Sequence, residues 1–91
     1  MRNTKEHDAR AGTVEQPDGS YKDRLGNILW YNEDGQYHRL DGPAVIFVKS
    51  ISFPDGIVFW FVNDKEYTFD KWCKKLRKSD KKKLLLKQQY E

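Results

Sequence analysis

The sequence predicts an α+β domain: a small antiparallel β-meander of about four to six short strands, followed by two short C-terminal α-helices. Three observations predict it. Turn signals recur at short intervals through the middle of the chain, from Pro17-Asp18-Gly19-Ser20 and Leu25-Gly26-Asn27 to Asp34-Gly35, Asp41-Gly42-Pro43, Pro54-Asp55-Gly56 and Asn63-Asp64. β-Branched and aromatic runs lie between them. After Thr68 the apolar spacing changes from that of a strand to that of a helix.

Taken in order, the first element is a tail. Residues 1–19 contain no aromatic side chain, and their only large aliphatics are Met1 and Val14. Such a segment buries too little apolar surface to offset its ordering entropy, so a mobile N-terminal tail is expected. Residues 20–67 form the meander. Its strongest strand candidates are Ile28-Leu29-Trp30-Tyr31, Ala44-Val45-Ile46-Phe47-Val48 and Ile57-Val58-Phe59-Trp60-Phe61-Val62. Gln36-Tyr37-His38-Arg39-Leu40 is a shorter, more polar one. Asp-Gly and Asn-Asp pairs adopt positive φ cheaply, as tight hairpins require.

A degenerate repeat runs through these strands. Ile28-Leu29-Trp30-Tyr31 matches Val58-Phe59-Trp60-Phe61, and Tyr37 matches Tyr67, all at an offset of 30. Two copies are fewer than a solenoid needs, so the pattern reads as one sheet built from a duplicated hairpin.

Residues 68–91 read as a basic helical hairpin within the same domain. Phe69, Trp72, Cys73 and Leu76 fall on one helical face. Thr68 is the expected N-cap, and Asp70 suits the positive end of the dipole. Ser79 and Asp80 open a second helix, with Leu84, Leu85, Leu86 and Tyr90 as a broad apolar face. The break lies at Lys78-Ser79.

Residues 44–48 and 57–62 do not alternate, so both faces of those strands are apolar. The helical pair can cover one. Sheet curvature, residues 48–53 or another molecule must close the other, because soluble monomers seldom leave a large aromatic face open.

Composition narrows the function classes. The chain has 91 residues, which is one domain at most. No apolar run approaches the ~20 residues of a bilayer span, and no secretory h-region is visible, so a soluble protein off the membrane is expected. The single cysteine, Cys73, excludes an intrachain disulfide and a four-cysteine zinc site. No metal or cofactor is expected. The net charge of +3 is unevenly placed. In residues 71–91, nine basic side chains (Lys71, Lys74, Lys75, Arg77, Lys78, Lys81, Lys82, Lys83 and Lys87) face two acidic ones, a local charge of +7. Eight basic and twelve acidic residues elsewhere leave −4. An acidic body thus carries a basic end, drawn to a polyanion, an acidic partner or another copy.

The string Trp30-Tyr31-Asn32-Glu33-Asp34-Gly35-Gln36-Tyr37-His38-Arg39-Leu40-Asp41-Gly42-Pro43-Ala44 resembles the W-x-N-x-x-G-x-x-H-R-x-D-G-P-A repeats of small uncharacterised proteins from tailed-phage and some large-virus genomes. These are loosely akin to MORN-type β-hairpin repeats. The likeness spans about residues 28–76, ending in Trp60-Phe61-Val62-Asn63-Asp64-Lys65-Glu66-Tyr67 and a short helix. This chain departs in having Asn63-Asp64-Lys65 where a glycine is usual, and no second Asp-Gly-Pro-Ala. The resemblance implies a hairpin fold and a virus-encoded accessory protein acting in the host cytoplasm. It implies no shared activity.

No catalytic signature accompanies this pattern. His38 and Asp41 could form a base with its orienting carboxylate, but no nucleophile joins them. The expected function is therefore non-enzymatic: binding and modulating or inhibiting a host macromolecule. Trp30, Tyr31, Tyr37, His38 and Arg39 are the candidate protein contacts, since aromatic side chains supply hot-spot area at low entropy cost. Nucleic-acid binding by the nine basic residues is the alternative. With lysine dominant and Arg77 the only arginine among them, it would follow the backbone rather than read bases. A self-associating structural or virion component is a third reading.

Overall fold

A computed structural model of the chain describes residues 12–90. Six strands form one antiparallel sheet in chain order: β1 (Val14–Glu15), β2 (Tyr21–Lys22), β3 (Ile28–Leu29), β4 (Val45–Phe47), β5 (Ile57–Val62) and β6 (Lys65–Tyr67). Helices α1 (Phe69–Lys75) and α2 (Asp80–Tyr90) follow. This is the α+β meander that the turn spacing predicts.

The sheet begins earlier than expected. The tail assigned to residues 1–19 lies outside the described residues up to residue 11, but Val14 and Glu15 pair with Lys22 and Tyr21. Backbone bonding holds this hairpin. The Gln16 N–H donates to the Ser20 carbonyl at 2.7 Å, and the Asp18 carboxylate accepts from the Ser20 hydroxyl at 2.6 Å. Ser20 itself is buried. A reading of apolar content does not register order maintained by such bonds.

β5 organises the rest. Its first half pairs with β4 through Val45↔Phe59 and Phe47↔Ile57, its second half with β6 through Trp60↔Tyr67 and Val62↔Lys65. Partners in an antiparallel pair project to the same face. Val58, Trp60 and Val62 therefore share a side with Tyr67, and Ile57, Phe59 and Phe61 point the other way.

The helices cover the Trp60 side. Trp60, Val62, Trp72, Cys73 and Leu86 form the buried core, with Val58, Tyr67, Phe69, Leu76 and Tyr90 packed around it. The Trp60 ring lies 4.6 Å from Trp72 and 4.9 Å from Phe69, and Tyr90 meets it edge-on at 6.0 Å. The expected helix face of Phe69, Trp72, Cys73 and Leu76 is thus the one that packs.

Both helix ends are locally specified. The Thr68 hydroxyl accepts from the Lys71 N–H at 3.2 Å, the expected cap. At the other end the Lys78 N–H reaches the Cys73 carbonyl at 2.9 Å and the Arg77 N–H reaches Lys74 at 3.2 Å, a Schellman closure. Arg77 sits there at φ 54, where glycine is usual. The leucine face of α2 is narrower than expected. Leu86 is buried, whereas Leu84 is 58% exposed and Leu85 51%. Consecutive helical residues diverge by roughly 100°, so one of three adjacent leucines points into the core.

The two hairpins of the repeat differ in turn length. In the first, Tyr31 bridges Tyr37 and the Asn32 N–H donates to the Gln36 carbonyl at 2.9 Å, which leaves Glu33-Asp34-Gly35 as the loop. In the second, Val62 pairs with Lys65 around Asn63 and Asp64, at φ 49 and 72, the left-handed pair of a type I′ turn. The one-residue difference shifts the return strand by one place and reverses its faces. Tyr37 therefore opposes Tyr31 on the side away from the helices, and Tyr67 opposes Trp60 on the helix side.

The candidate strand at Gln36–Leu40, residues 36–40, is reduced to the single Tyr31–Tyr37 bridge. Beyond it the chain changes partners. The His38 N–H donates to Trp30 and the Arg39 N–H to Phe61, so no continuous ladder forms.

Candidate interaction site

The polar string at the centre of the chain is a clamp between the two hairpins. The Asn63 N–H donates to Nδ1 of His38 at 3.0 Å, and the Asp64 N–H donates to the Tyr37 carbonyl at 2.8 Å. Asn32 Nδ2 donates to Asn63 Oδ1 at 3.1 Å. Next along, the Arg39 guanidinium lies 4.3 Å from the Trp30 ring centre. Its Nε donates to Asp41 Oδ1 at 2.8 Å and its Nη1 to the Pro43 carbonyl at 3.2 Å. The Arg39 carbonyl accepts from Trp72 Nε1 at 3.2 Å, which ties α1 to the same segment. His38, Arg39 and Asp41 thus each have internal partners. His38 and Asp41 do not meet as a base and its orienting carboxylate.

The sheet side away from the helices is aromatic. Tyr21, Leu29, Val45 and Phe59 form one cross-strand row by register. Leu29 and Val45 at its centre are buried, and the rings around them are half-buried. Tyr21 meets Tyr31 edge-on at 5.2 Å, Tyr31 stacks on Tyr37 at 5.3 Å, and Tyr37 meets Phe61 at 5.2 Å. A second run continues from Phe59 to Phe47 at 5.7 Å and from Phe47 to Phe53 at 5.8 Å. Residues 48–53 therefore close only one end of this side. Ile51 stands fully exposed there, and a shallow cleft of about 350 Å³ opens between Phe47, Phe53 and Leu25.

Charge divides across the sheet. Glu15 and Glu66 pair with Tyr21 and Phe61, so they rim the aromatic side, and Glu33, Asp34 and Asp64 are exposed on the adjoining turns. Lys22 and Lys65 pair with Ile28 and Val62 on the opposite side, where the helices lie.

Of the expected protein contacts, Tyr31 and Tyr37 belong to the aromatic row, while Trp30, His38 and Arg39 belong to the clamp. Pattern reading omitted Tyr21, Phe47, Phe59 and Phe61 as contacts. Their strand alternation was legible, but which side the helices leave open was not.

The expected basic residues lie on and between the helices. Lys71, Lys74, Lys75, Arg77, Lys81, Lys82 and Lys87 are exposed, and Lys78 and Lys83 are half-buried. Lys78 Nζ lies 5.2 Å from the Trp72 ring. Lys75 and Lys65 approach the Tyr67 ring at 5.8 and 5.5 Å. Lys65, missed in the sequence, joins the group because the short turn brings β6 beside α1.

Cys73 is buried in the core, and that burial pushes its thiol above the ordinary range. Among the described residues no group of three or more His, Cys, Asp or Glu side chains is placed to hold a metal ion, and no helix is long and apolar enough to cross a membrane. No family model matches the chain, and neither the curated proteins nor the solved structures yield a match.

Proposed function

We propose that this chain is a non-enzymatic accessory protein that binds a host protein through the aromatic side of its sheet and so modulates or inhibits that partner. The half-buried row Tyr21–Tyr31–Tyr37–Phe61 carries the reading. It presents contiguous rings in mutual contact, and aromatic side chains give up little conformational entropy on binding. The acidic rim of Glu15, Glu66 and the turn carboxylates fits a partner whose apolar centre is bordered by lysine or arginine. The non-catalytic part rests on His38 and Asp41, whose polar atoms serve the hairpin clamp. The His-Arg-x-Asp-Gly-Pro-Ala resemblance supports a virus-encoded protein acting in the host cytoplasm.

The test is capture from host lysate with the full chain, with and without nuclease, beside the variants Tyr37→Ser and Glu66→Lys. A protein partner retained after nuclease, lost with Tyr37→Ser and weakened by Glu66→Lys supports the reading. A partner indifferent to both variants overturns it. Self-association on a sizing column that disappears with Tyr37→Ser would replace it with the structural-component reading.

A further inference from the structure

The opposite side of the molecule carries an independent surface. Seven of the nine basic side chains of residues 71–87 are exposed, and Lys65 extends the group onto the sheet. Among the described residues, the one ion pair is Arg39 with Asp41, and no carboxylate pairs with any of these cations. Two ammonium groups, those of Lys65 and Lys75, converge on the single Tyr67 ring.

This arrangement is unfavourable for the isolated helices. Lys71–Lys75 in α1 and Lys83–Lys87 in α2 are like-charged i,i+4 pairs, each costing a few tenths of a kcal/mol. Lys81, Lys82 and Lys83 occupy the first turn of α2, where the helix dipole disfavours cations. Solubility alone is met as well by interspersed Glu and Lys, which would remove the repulsion. A polyanion removes it too, because neutralising its charges releases condensed counterions.

We infer that the α1–α2 side binds the sugar-phosphate backbone of nucleic acid without reading its sequence. Lysine ammonium groups are point charges suited to phosphate rather than to bidentate base contacts. The acidic aromatic side repels the same ligand, so nucleic acid is confined to the helical side and the sheet stays free. The inference uses residues other than those of the proposed protein-binding face and stands or falls separately.

The experiment is fluorescence anisotropy of the full chain with labelled mixed-sequence duplex DNA and single-stranded RNA, from about 50 to about 200 mM salt. If six side chains each neutralise one phosphate, log Kd against log salt has a slope near 5 in magnitude for duplex, at about 0.9 per phosphate. Lys74→Gln/Lys75→Gln and Lys81→Gln/Lys82→Gln each lower that slope by about 2. Tyr37→Ser leaves it unchanged. Absence of binding at the lowest salt, or a slope indifferent to both lysine pairs, overturns the inference. So does binding to vesicles of phosphatidylserine and phosphatidylcholine without binding to either nucleic acid. A strong preference for one sequence would overturn the claim of backbone recognition.

Discussion

The Asn63 backbone N–H donates to Nδ1 of His38 at 3.0 Å across 25 residues of chain. This bond and the neighbouring Asp64–Tyr37 backbone bond join the tip of the second hairpin to the return of the first. His38 therefore belongs to the architecture. Its acceptor nitrogen fixes the tautomer with the proton on Nε2. His38→Ala should lower stability by about 1 kcal/mol, the net worth of one such bond with its donor left behind. His38→Asn places a carbonyl oxygen near the same point and should recover part of the loss. Urea unfolding of both variants checks this. Equal losses would mean that ring packing, not the acceptor, sets the value.

Gly42 is required by Arg39. A Cβ on Gly42 would lie 2.7 Å from Arg39 Cζ, and the guanidinium cannot easily withdraw. It is held by the Trp30 ring, Asp41 and the Pro43 carbonyl. Gly42→Ala should therefore cost about 1–3 kcal/mol, as overpacking does. In an Arg39→Ala background the same substitution should cost much less. The coupling energy from the double-mutant cycle is the measurement. Additive effects would show that the strain lies in the backbone instead.

These two positions show what the sequence could disclose. Local devices were legible: the Thr68 cap, the Phe69–Trp72–Cys73–Leu76 face and the break at Lys78-Ser79 all rest on neighbours within one or two turns. Relations between distant residues were not. His38 and Arg39 read as candidate contacts because Asn63 and Trp72, which bond the His38 ring and the Arg39 carbonyl, lie 25 and 33 residues away. Tyr67 read as the equivalent of Tyr37 because the offset hides a loop shorter by one residue, which suffices to reverse a strand's faces. Val14 and Glu15 read as tail because composition weighs apolar burial and not ladder bonds. The rings of the open side were visible as residues, yet their exposure depends on where two helices settle.

Arg77 occupies a left-handed position at φ 54 to close α1. A residue with a Cβ pays about 1–2 kcal/mol there, and glycine's looser unfolded state returns about half of that. Arg77→Gly should thus stabilise the fold by about 0.5–1 kcal/mol, raising Tm by several degrees in a domain of this size. Thermal unfolding at moderate salt checks it. A fall in Tm would show that the Arg77 side chain contributes more through packing than its backbone costs.

Asp18 links the first hairpin to pH. The Ser20 hydroxyl at 2.6 Å and the Ser20 N–H at 2.9 Å hold its carboxyl below the ordinary value of 3.8. Asp23 shifts the same way: burial pushes it up, but donors from the Asn27 side chain and backbone and from Leu25 outweigh that. A carboxyl depressed on folding contributes stability that is complete above its unfolded value and is lost as pH falls through the folded one. The contribution of these two carboxylates should therefore be level from neutrality to about pH 5 and decline below about pH 4. In Asp18→Asn the acid-side decline should be shallower, because one of the titrating groups is gone, while stability at neutral pH should fall. Urea unfolding across that range, with amide exchange of Ser20 as a local reporter, measures both. An unchanged acid slope would show that the turn opens before Asp18 takes up its proton.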